Sequence, residues 1–473
     1  MQPLDMQDHL GYQRAHQLRT RGVEPYAQSF NRSHTLPELS EIYEDVCPDE
    51  ERSIELMRLC GRVMSIDTHG NTVVLRIEDQ YARFQLIGSA GRLSAKNLNL
   101  LKTNVCRGDY LGFEVTTLCR VNTVLSAYID DWCFLSLAHV PFPHPQHMSV
   151  EQQREERHLY WASSLDARER VINRSRILNQ IREYLDLMGM LEVNLPSPTL
   201  EDAATASSAR TDRLCQLLVG GIEQIYEIYP CNTAAPIDWL NHPQALMLDC
   251  CAAMKTPYDA MQWVEHLILR LTRFMHAIDS VDWLPLERLN ATLSEEKPAY
   301  FDDQFLEIDL SAGWAWRSVS RLTHDVLGVD FASCATVDEA VNVAIQAGLS
   351  LSGFSSWQQV SDVMLAAFRQ LVAPTLIQPT FVVFPAPGEE FIERFELYVN
   401  GILMGYGYAA PTDPARYSPT NSQNSVYPVL MAGMPPATHV TLYLERIMML
   451  LLGAVDVRDL ITFPEARKVM LNA

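Results

Sequence analysis

Three histidines lie close together in the segment His139-Val-Pro-Phe-Pro-His-Pro-Gln-His147, at positions 139, 144 and 147. Because imidazole nitrogens are common metal ligands, this segment is the first candidate for a metal site. It also contains three prolines, which stiffen a connector, and it contains no carboxylate. We therefore favour a linker over residues 139–148 rather than a metal centre.

Other motifs that would indicate a chemistry are absent from the sequence. There is no phosphate-binding G-x-x-x-x-G-K-[ST], no zinc-binding H-E-x-x-H and no G-x-G-x-x-G opening a helix. The run Gly348-Leu-Ser-Leu-Ser-Gly353 has the wrong spacing for a nucleophile elbow. The ten cysteines form no C-x-x-C pair, so we expect reduced thiols in a cytoplasmic protein rather than a zinc site.

Length, composition and charge limit the class of protein. At 473 residues the chain is long enough for two to four domains, and 48% hydrophobic residues indicate a globular protein. The net charge of −21 argues against a broad basic surface for nucleic acid, although it leaves room for a local basic groove. There is no run of 18 apolar residues and no apolar segment at the start, so we expect neither a membrane span nor a secretory signal.

The first part of the chain predicts a β-rich module. Residues 1–52 contain a polar helix that ends near Gly22 and an acidic entry segment. Five short alternating segments separated by turn signals follow within 53–138, which predicts a small barrel. An OB-type barrel fits, and such barrels usually bind single-stranded nucleic acid or oligosaccharide. A purely structural barrel fits the pattern equally well.

Residues 149–473 predict an α+β domain with an antiparallel sheet. A long helical stretch over 149–189 comes first, and a mainly helical insertion is expected at about 300–376. Near the end, Val440 and Leu442 alternate with His439, Thr441 and Tyr443, which predicts a strand with one apolar face and one different face.

The order of segments resembles that of the class II lysyl-tRNA synthetase family over nearly the whole chain. Each stretch alone is weak, but the stretches occur in the family's order. They are Gln13–Tyr26 at the N-terminal helix, Gly61-Arg62, Phe84-Gln85-Leu86 and Gly108-Asp109 in the barrel, Arg174–Pro196 at motif 1, and Leu376–Phe381, Glu393–Glu396 and Leu444–Pro464 towards motif 3.

The resemblance implies both a fold and an activity. The expected fold is α+β, with an N-terminal OB-fold β-barrel that binds the anticodon, followed by an antiparallel catalytic sheet flanked by helices. The family dimerises through motif 1, and it activates lysine with ATP and magnesium before transfer to tRNA. The sequence departs from the family at many of these functional positions.

The positions that should clamp phosphate have changed. A planar guanidinium makes bidentate bonds to the α-phosphate, and in the family it follows the motif 2 strand, which is here Ile225-Tyr-Glu-Ile228. The two arginine positions correspond to Pro230 and Thr233, and the acidic position corresponds to Ala235. No Lys or Arg lies between Arg213 and Lys255, so a shifted alignment does not restore the clamp.

The positions for metal and nucleotide have changed as well. Leu403 and Ala410 stand where the family has magnesium-binding acids, and Tyr406 replaces an asparagine. The family's three nucleotide-site glycines correspond to His439, Thr441 and Tyr443. The motif 3 arginine remains as Arg446, beside Glu445. It is interpreted either as a structural ion-pair residue or as a retained nucleotide contact.

Lysine and anticodon recognition are also reduced. The resemblance matches the acids for the ammonium groups of lysine to Thr211, Asp249 and Ala410, and it matches an aromatic position to Cys251. The segment 198–210 is shorter than in the family. In the barrel, Val74 replaces the base-stacking Phe and Val124 replaces an acid that reads a base, whereas Gln85 remains; Tyr81 or Phe84 is the aromatic candidate to substitute.

The losses favour a catalytically inactive family member without cofactor or metal, acting as a dimeric binding or regulatory protein. The alternatives are an ATP- and magnesium-dependent ligase with a remodelled substrate, a weak tRNA-binding protein that uses the barrel, and a mixed dimer with an authentic synthetase. We expect no catalytic residue, anticodon-binding-like residues Phe84 and Gln85, and the following substrate-pocket remnants: Glu227, Asp249, Glu396, His439, Tyr443 and Arg446.

Overall fold

The computed structural model divides the chain into two compact units, residues 1–169 and 170–473. The predicted linker over 139–148 lies inside the first unit. The residues that the structure describes are 10–43, 45–47, 51–121, 123–196, 206–230, 237–291, 305–350, 357–385, 392–416 and 427–464. No helix in these ranges is long and apolar enough to cross a membrane.

The described part of the first unit combines six strands with five helices. The helices are α1 (Leu10–Thr20), α2 (Leu36–Ile42), α3 (Ala95–Asn104), α4 (Val150–Glu155) and α5 (Arg157–Ser163). The strands are β1 (Glu51–His69), β2 (Thr72–Glu78), β3 (Arg83–Ser89), β4 (Tyr110–Val121), β5 (Val124–Tyr128) and β6 (Asp131–Ser136). The predicted β segments are therefore present, and β1 is longer than its pattern suggested.

The strands of the first unit form a closed cycle of pairings that begins and ends at β1. The order is β1-β2-β3-β5-β4-β6, and β1 also pairs with β4, so that five strands form a continuous cycle of pairings. All pairs are antiparallel except β3 with β5. The long β1 makes both of its pairings because different parts of it face β4 and β2. Apolar side chains such as Leu59, Leu75 and Phe113 are fully buried in this unit's core.

The second unit is organised around a large sheet with helices. Its helices begin with α6 (Leu165–Leu187), which crosses the unit boundary, and continue with α7 (Ala206–Val219), α8 (Pro257–His276), α9 (Leu286–Ala291), α10 (Val319–Leu327), α11 (Val337–Gln346), α12 (Val360–Ala367), α13 (Tyr427–Met431) and α14 (Leu444–Leu452). The single long helix predicted over 149–189 is thus divided into α4, α5 and α6.

Eight of the described strands in this unit form one sheet, in the order β12-β13-β14-β15-β16-β9-β8-β7. The strands of this unit are β7 (Leu191–Glu192), β8 (Gln224–Pro230), β9 (Leu246–Ala253), β10 (Ser280–Trp283), β11 (Leu306–Asp309), β12 (Ala315–Ser318), β13 (Thr380–Pro385), β14 (Ile392–Val399), β15 (Ile402–Ala409) and β16 (Ala437–Tyr443). The central strands are antiparallel, as predicted, and only the two end pairs are parallel.

One face of the sheet carries the main apolar core of this unit. Leu397, Leu442 and Leu248, on three different strands, all belong to this core. Helices α8 and α14 contribute Leu267 and Ile447 to it. Helix α8 starts sharply because Thr256 and Asp259 form a capping box, with Pro257 in the first turn.

The β14–β15 connection is a tight hairpin that fixes the register of two site strands. Asn400 and Gly401 both have positive φ, at 51° and 72°. An Asn-Gly pair is the usual sequence for a two-residue hairpin turn of this kind. This turn, together with a register shift between Leu397 and Tyr398, places Glu396 opposite Tyr406 in the ladder.

The insertion expected to be mainly helical at about 300–376 contains strands as well as helices. The strands β11 and β12 come first, and helices predominate only from Val319 onwards. A π-helical turn over Phe368–Val372 follows α12. Such turns are rare and occur frequently at functional sites.

Candidate functional site

The predicted remnants Glu227, Asp249 and Glu396 lie in one row across five strands of the sheet. Glu227 pairs with Asp249, Asp249 with Thr441, Thr441 with Tyr406 and Tyr406 with Glu396. Residues directly opposite one another in neighbouring strands place their side chains on the same face. This row therefore lies on the face opposite the main core.

Glu227 is held in a buried ion pair. Arg210 of α7 donates to its Oε2, and the Leu195 backbone N–H donates to Oε1 at 2.8 Å. The two side chains are only 6% and 4% exposed, and the Arg210 guanidinium lies 3.9 Å above the ring of Tyr229. Both carboxylate oxygens thus have partners within the protein.

Asp249 is the centre of a buried polar network. The Tyr229 hydroxyl donates to Oδ2 at 2.8 Å, and the Thr441 hydroxyl donates to Oδ1 at 2.6 Å. The Nε2 atom of His439 lies 3.9 Å from Oδ1. Burial raises the pKa of Tyr229, and the negative charge of Asp249 raises it further, so the tyrosine stays protonated as a donor. We call these four residues the Asp249 cluster.

His439 lies inside this cluster in a fully buried position. Burial lowers its pKa below the ordinary value, while the charge of Asp249 acts in the opposite direction. Neither ring nitrogen has a hydrogen-bond partner among the residues that the structure describes. Its ring instead contacts Tyr408, with the centroids 5.0 Å apart. The imidazole is therefore neutral, and it fills space on the face where the family has a glycine.

The positions matched to lysine recognition lie in or beside an apolar cluster. Cys251 is 2% exposed and packs with Cys215 and Leu214 of α7, and Ala410 packs against the same cluster. Burial raises the pKa of the Cys251 thiol well above its ordinary value. Thr211 of the same helix interacts with the Tyr408 hydroxyl. Helix α7 thus covers this part of the sheet face.

Glu396, at the other end of the row, is shared between two arginines. Arg394 donates to its Oε1 at 2.5 Å, and the Tyr398 hydroxyl donates to Oε2 at 2.9 Å. Arg369, from the π-helical turn, lies 3.8 Å from Oε1. The carboxylate is buried, but the side chains of Arg394 and Arg369 are 43% and 59% exposed.

The guanidinium of Arg446 is held by hydrogen bonds to neighbouring residues. It donates to the Leu403 carbonyl at 2.6 Å and to the Asn241 side-chain oxygen at 2.9 Å. One face of the guanidinium lies 4.0 Å above the Tyr443 ring. Tyr443 thus lies against the arginine that the resemblance matches to motif 3.

The neighbouring Glu445 makes the ion pair at the start of α14. Arg174 of α6 donates to it at 2.7 Å, and the Leu246 backbone N–H also donates to it. Burial raises the pKa of Glu445, and the charge of Arg174 opposes this shift. An ion-pair role was one of the two predictions for Arg446. The ion pair between its neighbour Glu445 and Arg174 was not predicted from the sequence.

A cavity of about 570 Å³ opens beside Glu396 and Arg446. We call it the Glu396 cavity. It is lined by three arginines and two acids together with amide and aromatic side chains, among them Asp238, Asn241, Arg369, Arg394, Glu396, Tyr398, Tyr406, Tyr443 and Arg446. The predicted remnants are therefore divided between this cavity and the closed Asp249 cluster.

Arg210, Arg369 and Arg394 are the residues that sequence reasoning did not assign. Arg394 lies in the segment Glu393–Glu396, two residues before Glu396 and therefore on the same face of the strand. This spacing in the sequence could have identified it. Arg210 and Arg369 come from distant helical segments. Only the folded chain brings them to the sheet.

The positions that the resemblance matches to magnesium and phosphate ligands carry apolar residues where they are described. Leu403 lines the Glu396 cavity with an aliphatic side chain, which offers no ligand oxygen. Across the described ranges, no group of three His, Cys, Asp or Glu side chains is arranged to bind a metal. Pro230 ends β8 with an exposed side chain, whereas Thr233 and Ala235 lie outside the described residues.

In the first unit, the two anticodon-binding-like residues are in different environments. Phe84 is 4% exposed and belongs to the core, so its ring has no free face on which a base can stack. This corrects the interpretation of Phe84 as a replacement aromatic. Gln85 is half-buried, and Tyr81 is 48% exposed beside the same strand.

Comparison with known proteins finds curated relatives that align with almost the whole chain. A lysine–tRNA ligase of Synechococcus sp. (strain CC9605) is 26% identical over 506 residues, covering 96% of each sequence. A lysine–tRNA ligase of Carboxydothermus hydrogenoformans is 25% identical, covering 95% of this chain and 96% of the relative. The chloroplastic/mitochondrial lysine–tRNA ligase of Arabidopsis thaliana is 24% identical, covering 95% and 84%. No family model matches the sequence.

Proposed function

Since the chain belongs to the lysyl-tRNA synthetase family, we propose that it keeps the family's fold but does not activate lysine efficiently. It acts as a dimeric binding or regulatory protein. The support comes from what has happened to the groups that lysine, ATP and magnesium would need.

The state of the Asp249 cluster is the observation that carries the proposal. A lysine ammonium group in a buried site needs a carboxylate that can accept its hydrogen bonds. Asp249 already accepts from Tyr229 and Thr441, and it is buried. Cys251 and Ala410 contribute only apolar surface. Lysine binding here would require the protein to break this network and displace side chains.

The nucleotide side supports the same conclusion. Tyr443 covers one face of the Arg446 guanidinium, and Leu403 replaces a metal ligand. Removing a single preorganised electrostatic contact can lower kcat by about 10²–10³. Several such losses in one site remove most of the catalytic acceleration, so we propose that the protein uses no ATP or magnesium.

Two finer features belong to this proposal. The cycle of pairings through β1 to β5 supports an OB-fold barrel in the first unit. The family's motif 1 segment, here within α6 and β7, supports a homodimer. Weak tRNA binding through the barrel is also consistent, although Val74 offers no ring for stacking.

ATP–pyrophosphate exchange with lysine tests the proposal directly. We expect no exchange above background with the full-length protein and magnesium. Arg446→Ala is the matched variant, because an exchange signal that persists in it comes from a contaminating enzyme. Exchange by the natural protein that disappears in Arg446→Ala would refute the proposal.

A ligase with a remodelled substrate is the second candidate, and the open Glu396 cavity favours it. Such an enzyme would still need ATP and magnesium. Thermal-shift measurements separate the two candidates: a rise in melting temperature with ATP and magnesium, or with an adenylate analogue, supports the ligase. Unchanged melting temperatures across nucleotides support the non-catalytic protein.

Mixed dimers with an authentic synthetase are a further form of the binding role. They follow from the retained motif 1 segment. Co-expression with a tagged lysine–tRNA ligase of the same host, followed by co-purification, tests this form against a strict homodimer.

A further inference from the structure

The Glu396 cavity has more guanidinium groups than carboxylates. We propose that it binds a small planar monocarboxylate, of the class of aromatic acids, and not a nucleotide. The inference deepens the proposed function, and it rests on that function because a cavity holding ATP and magnesium would leave no space for such an acid.

The charges that line the cavity define the ligand's charge. Arg369, Arg394 and Arg446 stand against Asp238 and Glu396, which is a formal excess of one positive charge. This excess lies within a chain of net charge −21. A monoanion balances it. A triphosphate would bring several negative charges, and no metal-binding group of the described residues is present to offset them.

The arginines have donor capacity that a carboxylate can use. A guanidinium has five N–H donors in a fixed fork that matches a carboxylate. Arg394 reaches Glu396 through one terminal nitrogen, and its side chain is 43% exposed, so its second terminal nitrogen remains as a donor for a ligand. Arg369 lies 3.8 Å from Glu396, which is beyond hydrogen-bonding distance.

The walls of the cavity favour a planar ligand. Tyr398, Tyr406 and Tyr443 line it. The rings of Tyr406 and Tyr443 lie 6.5 Å apart between centroids with their planes inclined at 55°, so a flat ligand can stack on one of them at a time. The guanidinium of Arg394 lies 5.7 Å from the centre of the Tyr406 ring. Aromatic and guanidinium planes stack well on flat conjugated groups. The volume of about 570 Å³ lies within the usual range for small-molecule sites.

Arg369 reaches this cavity from outside the sheet. It lies in the π-helical turn Phe368–Val372, and the sheet strands supply Arg394 and Glu396. Such π-helical turns are rare and occur frequently at functional sites. The helical insertion thus contributes a charged group to the cavity.

Titration calorimetry of the full-length protein with benzoate tests the inference. Benzamide is the neutral comparator of the same shape, and cyclohexanecarboxylate is the non-planar acid. We expect benzoate to bind at least roughly tenfold more tightly than benzamide, because the charge-assisted bonds are lost with the amide. We expect cyclohexanecarboxylate to bind more weakly than benzoate.

Three variants locate the binding site. Arg369→Gln should weaken benzoate binding roughly tenfold, while Arg321→Gln, an exposed arginine of α10 that does not line the cavity, should leave it unchanged. Glu396→Gln removes the competing carboxylate and should tighten binding. Melting temperatures measured alongside identify any variant that has lost its fold. The binding site is then judged from the variants that remain folded, with Arg321→Gln as the control.

The outcomes separate this inference from the proposed function. Equal binding of benzoate and benzamide, or unchanged benzoate binding in a folded Arg369→Gln protein, overturns the inference alone. Tighter binding of ATP with magnesium than of benzoate also overturns the inference. ATP binding without exchange also contradicts the proposed absence of ATP use, whereas pyrophosphate exchange overturns the proposed function as a whole.

Discussion

The Asp249 cluster and the Glu396 cavity lie in one row of the same sheet, but they differ in what covers them. Helix α7 and the apolar residues around Cys251 bury the first, so that its polar groups bond to one another. The second is open, and its Glu396 is shared between two partly exposed arginines. Both carboxylates are themselves buried, so the exposure of the groups around them, rather than of the acids, distinguishes the open region from the closed one.

This difference extends to the energetics of the two regions. A polar group in a closed cluster is costly to leave without its partner, because water cannot replace the lost bond. A charged group at the mouth of a cavity is hydrated and screened, so removing it costs little. Substitutions should therefore affect stability in the first region and ligand binding in the second.

The largest effect is expected for Arg210→Ala. It leaves the buried Glu227 carboxylate without its guanidinium, which should lower the free energy of unfolding by about 3–5 kcal/mol. Urea denaturation of the full chain measures this change. Arg213→Ala on the same helix is the control, since Arg213 is exposed and bonds only to the Pro196 carbonyl in the described contacts. Equal losses in both variants would contradict the closed character of this region.

A smaller loss is expected for Asp249→Asn. The asparagine amide keeps one acceptor oxygen but directs N–H groups at one of the two hydroxyls that now donate to Asp249. We expect a loss of about 2 kcal/mol in the free energy of unfolding. A loss below about 0.5 kcal/mol would indicate that water already reaches these groups.

The pH dependence of stability should report on His439. Its pKa is lowered by burial in the folded state, so the unfolded chain binds the proton more readily. The neutral form is present in both states well above pH 6.5, and stability falls as the pH drops below that value. The free energy of unfolding falls by at most about 1.4 kcal/mol per pH unit from this one group.

The comparison of His439→Gln with the natural protein isolates this contribution from other titrating groups. The variant should show a shallower loss of stability between pH 7 and pH 5, measured by denaturation at a series of pH values. His266→Gln is the control, because His266 is exposed on α8. Identical slopes for His439→Gln and the natural protein would contradict the prediction.

The smallest effect on stability is expected for Arg369→Gln. Its side chain is 59% exposed, and Glu396 keeps its bonds to Arg394 and Tyr398. The free energy of unfolding should change by less than about 0.5 kcal/mol. A change as large as that of Arg210→Ala would mean that the cavity is as closed as the Asp249 cluster.

Much of the fold followed from sequence patterns that have a local physical cause. The alternation that predicted β16 depends on a few neighbouring residues. The capping box of α8 and the Asn-Gly hairpin before β15 are equally local, but neither was among the predictions. Local signals of this kind can be recognised in a single sequence. The row of Glu227, Asp249 and Glu396 was predicted as a set of pocket positions through the family resemblance.

The parts that were not predicted depend on contacts between distant segments. Alternation in β16 indicated a second, non-apolar face, but it gave no sign that His439 and Thr441 would be fully covered there. That covering comes from other segments, and Arg210 and Arg369 likewise arrive from helices far along the chain. A sequence pattern specifies which residues share a face, but not what packs on it.

The register of this sheet also limits where the chain can change in length. Neighbouring residues of a strand point to opposite sides, so inserting or deleting one residue within β9 or β16 would turn Asp249 or Thr441 into the main apolar core. Loops between strands carry no such restriction. Natural length variation in related chains should therefore gather in segments such as 198–210, while the strand interiors keep a constant residue count.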